Sequence, residues 1–298
     1  MKKEIKQYSE NKKTIIWIFA ALCDWMIILL SIAIALWMHN FFVYAFAVFV
    51  VGTRQHALAQ LGYDGAHYLV SNNHNINDFL TNLFCWWPLC IGMTGYRRFH
   101  FEHHRYVGTR LDPELKMKKF DKPQWDIPLK EGRMIRYFIE DLFGLHITHV
   151  LHYFNEIKHV KKKQWTGTII MWSLILLALY FTHSLEALFI WFVALSTSFW
   201  AVFRVRIYHE HLGTGYTHRV TVPWWYGLII APHNTWLHYE HHRWPNVPYY
   251  YLPKIRKLIG KDNITSVRNL FESFEKNKKI PSGKPLRLLE KSNPEKAF

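Results

Sequence analysis

Two short stretches carry the residues best suited to chemistry: HFEHH at 100–104 and HYEHH at 238–242. Each sets three histidines at i, i+3 and i+4 with an acid between them. On a helix those positions share one face, with Cβ atoms about 5–6 Å apart. His100, His103 and His104 then converge, and so do His238, His241 and His242. Protonated rings would repel one another, so crowding favours neutral imidazole over the reference pKa near 6.5. Neutral imidazole is the commonest protein ligand for transition metals. One H-x-x-H-H can arise by chance or bind stray zinc. Two copies, each with an internal Glu and a following Arg (Arg105, Arg243), point to metal binding. LGYDGAH at 61–67 looks like a third cluster with one member changed.

A structural zinc site closes with four ligands, often including cysteine. Eight or more imidazoles exceed one such site and would serve two metals of higher coordination. Nitrogen-rich ligation suits iron, zinc, copper or nickel, and redox chemistry in a membrane favours iron. The three cysteines, Cys23, Cys85 and Cys90, form no C-x-x-C pair and imply neither a disulfide framework nor a sulfur metal site.

The elements that must position these residues read as membrane helices. Half of the 298 residues are hydrophobic and 17% are aromatic, yet the formal charge is +15. Apolar and basic residues form separate runs, as in a membrane protein with a basic cytoplasmic face. No recognition motif supports the other common reading of such charge, nucleic-acid binding. Four apolar segments approach the ~20 residues of a span: about 15–37, 41–62, 168–183 and 185–205. Tight turns at MHN and THS make two hairpins. Asp24, within the first run, should face protein. No signal-peptide cleavage site is evident.

The expected fold is therefore an all-α integral membrane protein. Its four transmembrane helices would form two hairpins, with a cytoplasmic helical cap (63–167 and 206–275) holding a His-rich dimetal site. The domain runs over 1–275, and 276–298 reads as a weakly ordered tail. The positive-inside rule puts the termini and every histidine cluster on the cytoplasmic side. FLTNLFCWWPLCIGM (79–93) reads as buried or re-entrant, since Pro88 and Gly92 break it. MIRYFIEDLFGLHITHVLHYF (134–154) reads as one interfacial amphipathic helix, with His146, His149 and His152 on a wet polar face. His209 and His233 flank the clusters as weaker candidates, and His39, His74, His159, His183 and His218 have no partner pattern.

These boxes, their order and the four-span layout resemble the membrane-bound fatty acid desaturase and hydroxylase superfamily of histidine-box di-iron oxidases, over about residues 40–260. HFEHHRYVGTRLDPE resembles the second box with its trailing G-T-x-x-D-P-E. HNTWLHYEHHRWPNVPYYYLP resembles the third box and its P-x-x-P-x-x-x-L-P tail. RIYHEHLG resembles an element that ends the last span in bacterial members. The resemblance implies His67, His100, His103, His104, His211, His238, His241 and His242 as iron ligands. It implies Glu102, Asp112, Glu210 and Glu240 as partners of imidazole N–H groups. Asn234, one turn before His238, is a candidate for a metal-bound water, and Arg206 stands at helical pairing distance from Glu210.

Box one departs from the family pattern, because Tyr63 stands where the first histidine of L-G-H-D-x-x-H is expected. Either one iron loses a ligand or another group substitutes. Tyr63 as phenolate, Asp64 as carboxylate and His56 are the candidates, with His56 favoured as a packing residue.

Taking hydrogen from an unactivated alkyl chain needs an oxidant beyond acid–base side chains, and iron with O2 supplies one. The expected function is an O2-dependent membrane fatty acyl desaturase. The alternatives are a hydroxylase or ketolase of another lipid, such as a carotenoid or sphingolipid, and a non-catalytic metal-binding membrane protein. No haem, flavin or iron–sulfur motif appears, so electrons must come from an external ferredoxin-like or cytochrome-like donor. FCWWPLC and VPWWYG are candidates to line a slot beside the metals.

Overall fold

A computed structural model describes residues 1–120, 124–157, 165–260 and 262–276. The expectations for His159 and for the tail from 277 fall outside them. A short basic helix, α1 (Lys2–Glu10), precedes the first apolar run, which forms α2 (Thr14–Met38). His39 turns the chain in the left-handed region, and the side chain of Asn40 accepts from the N–H groups of Phe42 and Val43. That cap satisfies donors that a helix start leaves free, and α3 (Phe41–Ala66) begins there.

Next come α4 (His74–Thr81), a π-helical turn (Asn82–Trp86), α5 (Met93–Tyr106) and α6 (Pro113–Phe120). They are followed by α7 (Glu131–Leu142), α8 (Ile147–Ile157), α9 (Trp165–Phe181), α10 (Glu186–Ser196) and α11 (Ser198–His211). The C-terminal part holds α12 (Trp224–Ile229), α13 (His238–Arg243), α14 (Leu252–Ile259) and α15 (Val267–Glu275). A short parallel pair, β1 (Val220–Thr221) with β2 (Thr265–Ser266), ties this part together.

Among the described residues, three stretches are long and apolar enough to cross a membrane: Thr14–Met38, Phe41–Ala66 and Glu186–His211. The described α9 has 17 residues. That is about 25 Å of helix against a hydrocarbon core of about 30 Å. The expected span at 185–205 is two helices that bend at Thr197. The hydroxyls of Ser196 and Thr197 donate back to the carbonyls of Phe192 and Val193 at 2.9 and 2.6 Å, a bond pattern that bends helices. Large apolar side chains such as Phe19, Leu29, Phe46, Leu174 and Phe189 stay exposed on the outer faces of these helices, the surface a bilayer covers.

α3 is the central helix, with α2, α10 and α11 packed around it. α11 comes so close that a Cβ on Gly52 would lie 2.5 Å from Ser198 Oγ and 2.6 Å from Phe199 N. Ser198 Oγ uses that approach to donate to the Val48 carbonyl at 2.8 Å. Asp24 faces the interior, where it pairs with Arg54 Nη1 at 3.2 Å and His233 Nε2 at 2.7 Å. Within the stretch 79–93, Phe79 is exposed while Cys85, Trp86, Leu89 and Ile91 are buried.

The stretch 134–154 differs from expectation. It is two helices, α7 and α8, separated where Gly144 adopts φ +70. Apolar residues lie on both sides of them: Met134, Tyr137 and Val150 are buried, Ile135, Ile139, Phe143 and Leu151 are exposed, and His146, His149 and His152 are half-buried. Buried Asp141 explains the inward turn, since it accepts from His146 Nδ1 at 2.7 Å and from Arg204 Nε at 2.6 Å.

Candidate metal centre

Four ligand-bearing elements meet at one end of the central helices. His67 follows the last turn of α3; α5 carries His100, His103 and His104; His211 ends α11; α13 carries His238, His241 and His242. All eight expected ligands converge, in two groups. His67, His100, His104 and His241 form one; His103, His211, His238 and His242 form the other. Within each group the ligand atoms lie within 4.8 Å of one another.

The partition explains the H-x-x-H-H spacing. The i and i+4 histidines of α5 share the first group, and its i+3 histidine crosses to the second. On α13 the i and i+4 histidines share the second group, and its i+3 histidine crosses to the first. His67 and His211 then complete one group each. Both box helices thus serve both groups, and neither group can form without the other helix.

The donor set fits two transition-metal ions. Nε2 atoms stand 2.9 Å apart for His67–His100 and 3.1 Å apart for both His100–His104 and His104–His241. In the second group the spacings are 3.2 Å for His103–His211 and 2.8 Å for His211–His238. Nitrogens about 2.0–2.1 Å from an ion, at right angles, would be separated by about 2.9 Å. His242 Nε2 is buried without a hydrogen-bond partner, a costly state that an ion relieves. Burial first, and neighbouring imidazoles second, push His67, His100, His104, His238 and His242 well below their ordinary pKa. His241 is lowered to about 3 by burial and by His103 and Arg206. All six are therefore neutral and ligand-ready at pH 7.

The rings of the second group are oriented from behind. Asp112 Oδ1 stands 2.9 Å from His103 Nδ1, the Tyr216 carbonyl 2.8 Å from His211 Nδ1, and Glu210 Oε1 3.2 Å from His238 Nδ1. Acceptors such as Asp112 and the Tyr216 carbonyl fix the tautomer and aim Nε2 into the group, while Glu210 Oε1 stands beside His238 without a hydrogen bond to it. Asp112 thus backs one imidazole and Glu210 lies beside another, and Arg206 pairs with Glu210 at 3.2 Å.

Sequence reasoning missed Glu114, although it closes the D-P-E run. It lies 3.4 Å from His103 Nδ1 and 2.6 Å from Lys118. Burial opposes its charge, yet Lys118, His103 and His211 hold it well below the usual carboxylate range. With Asp112 it outweighs the burial of His103 and raises that imidazole's pKa.

Two expected partners behave otherwise. Glu102 is exposed, because the face of α5 that carries positions 100, 103 and 104 leaves 102 outside. Glu240 is fully buried but holds no imidazole. It accepts from Arg219 Nε at 2.9 Å and from Arg256 Nε and Nη2 at 2.9 Å each. Position 240 is on the back of α13, where those guanidiniums wait. Asn234, in the left-handed region, donates Nδ2 to the Tyr249 carbonyl at 3.3 Å.

The box-one candidates stay outside both nitrogen groups. His56 Nε2 meets the Ile230 carbonyl at 3.2 Å and Gln60 at 3.5 Å, in a packing position against Phe199 and Phe203. Asp64 Oδ2 accepts from Tyr249 N at 3.2 Å. Tyr63 Oη meets Arg206 Nη2 at 2.7 Å, and its ring stands edge-on to His100 at 4.5 Å between centroids. Each group holds four imidazoles without position 63. His209 pairs with the Tyr226 hydroxyl, and His233 with Asp24.

The aromatic stretches diverge. Trp86 packs on Tyr96, which stacks on His100, so FCWWPLC does approach the centre. Trp224 and Trp225 of VPWWYG are exposed, the placement of interfacial anchors rather than of a slot.

A family model described as fatty acid desaturase matches residues 40–265. No curated protein matches the chain. The matched stretch runs from the start of α3 into β2 and includes every histidine of the two groups.

Proposed function

The chain belongs to the fatty acid desaturase family, and from that premise we propose that it is an O2-dependent membrane desaturase of fatty acyl chains with one iron in each four-imidazole group. The partition of eight imidazoles into two groups carries this reading. Iron with O2 supplies the oxidant that an unactivated C–H bond requires.

The rest falls to the chain's own residues. Asp112 and the Tyr216 carbonyl hold second-group rings in one tautomer, with Glu210 beside His238. Arg219 and Arg256 hold α13 in place through Glu240. Tyr96 and Trp86 give the first group an apolar wall, fitting a lipid substrate that arrives along bilayer-length helices. Losing two hydrogens from the acyl chain while O2 becomes two waters takes two more electrons and two protons. An external ferredoxin-like or cytochrome-like donor provides the electrons, steered by the basic cytoplasmic face. The termini and the metal centre share that face, in a bacterial inner membrane.

Purified protein should hold two irons per chain and consume O2 when given a reductant. A host making it should gain an unsaturated acyl product that disappears with His241→Ala. A hydroxylated or keto product would instead assign the hydroxylase or ketolase reaction on the same scaffold. Zinc alone, with no O2 uptake, would remove the enzyme reading.

A further inference from the structure

Tyr63 occupies the one box position where this chain lacks a histidine, and its surroundings give it a different task. α3 presents Gln60 and Tyr63 one turn apart, one turn before His67. α11 presents Arg206 and Glu210 one turn apart, next to His211. Buried Arg206 joins the two helices, donating Nη1 to Gln60 Oε1 and lying 2.7 Å from Tyr63 Oη through Nη2. The same Nη2 stands 3.2 Å from Glu210 Oε2, and the other Glu210 oxygen stands 3.2 Å from His238 Nδ1. Tyr63 also sets its ring edge against His100. One side chain therefore touches a ligand of the first group directly and a ligand of the second through Arg206 and Glu210.

We propose that Tyr63 is a positioning residue rather than a metal ligand: its hydroxyl clasps Arg206 and so fixes α3, which delivers His67, against α11, which delivers His211. The hydroxyl has a partner in that guanidinium, which is charged, buried and a donor only. A phenolate pulled onto a metal would leave Arg206 with one acceptor fewer in a buried place. The inference rests on the two-metal reading above and not on the substrate or the reaction.

The test uses full-length protein in detergent, loaded with cobalt(II) for affinity and with iron for ligation. Cobalt binding does not depend on the redox reading, so failure of the oxidase proposal leaves the result intact. Tyr63→Phe keeps the ring and removes only the hydroxyl. It should still take up two cobalt ions per chain but release metal to a chelator about tenfold more readily, as loss of an outer-shell partner does. The cobalt ligand-field spectrum should shift although no ligand has been removed, a response that general destabilisation does not give. Oxidised, iron-loaded wild type should show no phenolate-to-ferric charge-transfer band. A visible band present in wild type and absent from Tyr63→Phe would make Tyr63 a ligand and overturn the proposal. Unchanged chelator release and spectrum in Tyr63→Phe would overturn it as well. So would a wild type that binds fewer than two ions and is completed by Tyr63→His.

Discussion

At the scale of single residues, the centre is asymmetric in how its rings are held. His103 and His211 of the second group each meet an acceptor behind Nδ1, and Glu210 Oε1 stands 3.2 Å from that of His238. The residue with most leverage is Asp112. It meets His103 at 2.9 Å and also accepts from the backbone of Gly108 and Glu114, so it orients a second-group imidazole and starts α6. Asp112→Asn keeps the size and one acceptor oxygen but removes the charge. It should weaken metal retention in the second group by about tenfold or more, with the first group little changed. Biphasic chelator release, in which one of two ions per chain leaves early, is the measurement. Release of both ions together at the wild-type rate would show that Asp112 does not orient His103.

At the scale of elements, equal sequence patterns meet unequal surroundings. H-F-E-H-H and H-Y-E-H-H look interchangeable, and the helical spacing of their histidines is legible from sequence because it is local. Which group each histidine joins is not legible, because that depends on how α5 and α13 cross. The acids show the same limit. Glu102 is exposed, whereas Glu240 is buried between Arg219 and Arg256, at chain distances no local pattern encodes. Removing one member of a buried ion pair strands the remaining charge, at about 3–5 kcal/mol. Glu240→Gln should therefore lower the unfolding temperature steeply and loosen metal in both groups, since α13 serves both. Glu102→Gln, the matching change in the other box, should stay within about 0.5 kcal/mol of wild type. Equal losses from the two variants in a thermal melt would refute this reading of the boxes.

At the scale of the whole molecule, the eight grouped imidazoles come from four segments spread between His67 and His242, so the proposed metal, protons and fold are linked. Hydropathy and charge made the membrane character and the gathering of histidines at one end legible. They did not reveal the bend at Thr197 or the two-helix form of 134–154, which arise from hydroxyl back-bonds and from Asp141 drawing His146 inward. Ions that bind only the folded chain stabilise it by mass action, about 4 kcal/mol per site at a thousandfold excess over Kd. Chelation should therefore lower the unfolding temperature of the entire chain.

Acid should act in the same direction. His67, His100, His104, His238, His241 and His242 have folded-state pKa values below the ordinary value of 6.5, His241 at about 3. Between 6.5 and those depressed values the unfolded chain binds more protons than the folded one, so stability falls as pH falls through that window. Protons compete with metal for the same nitrogens, so the metal-loaded chain should lose both supports together. Thermal melts at pH 7.5 and 5.5, with and without chelator, separate the contributions: the loaded chain should show the larger drop on acidification. A melting temperature indifferent to chelator at pH 7.5 would mean that the two imidazole groups do not hold metal in the native fold.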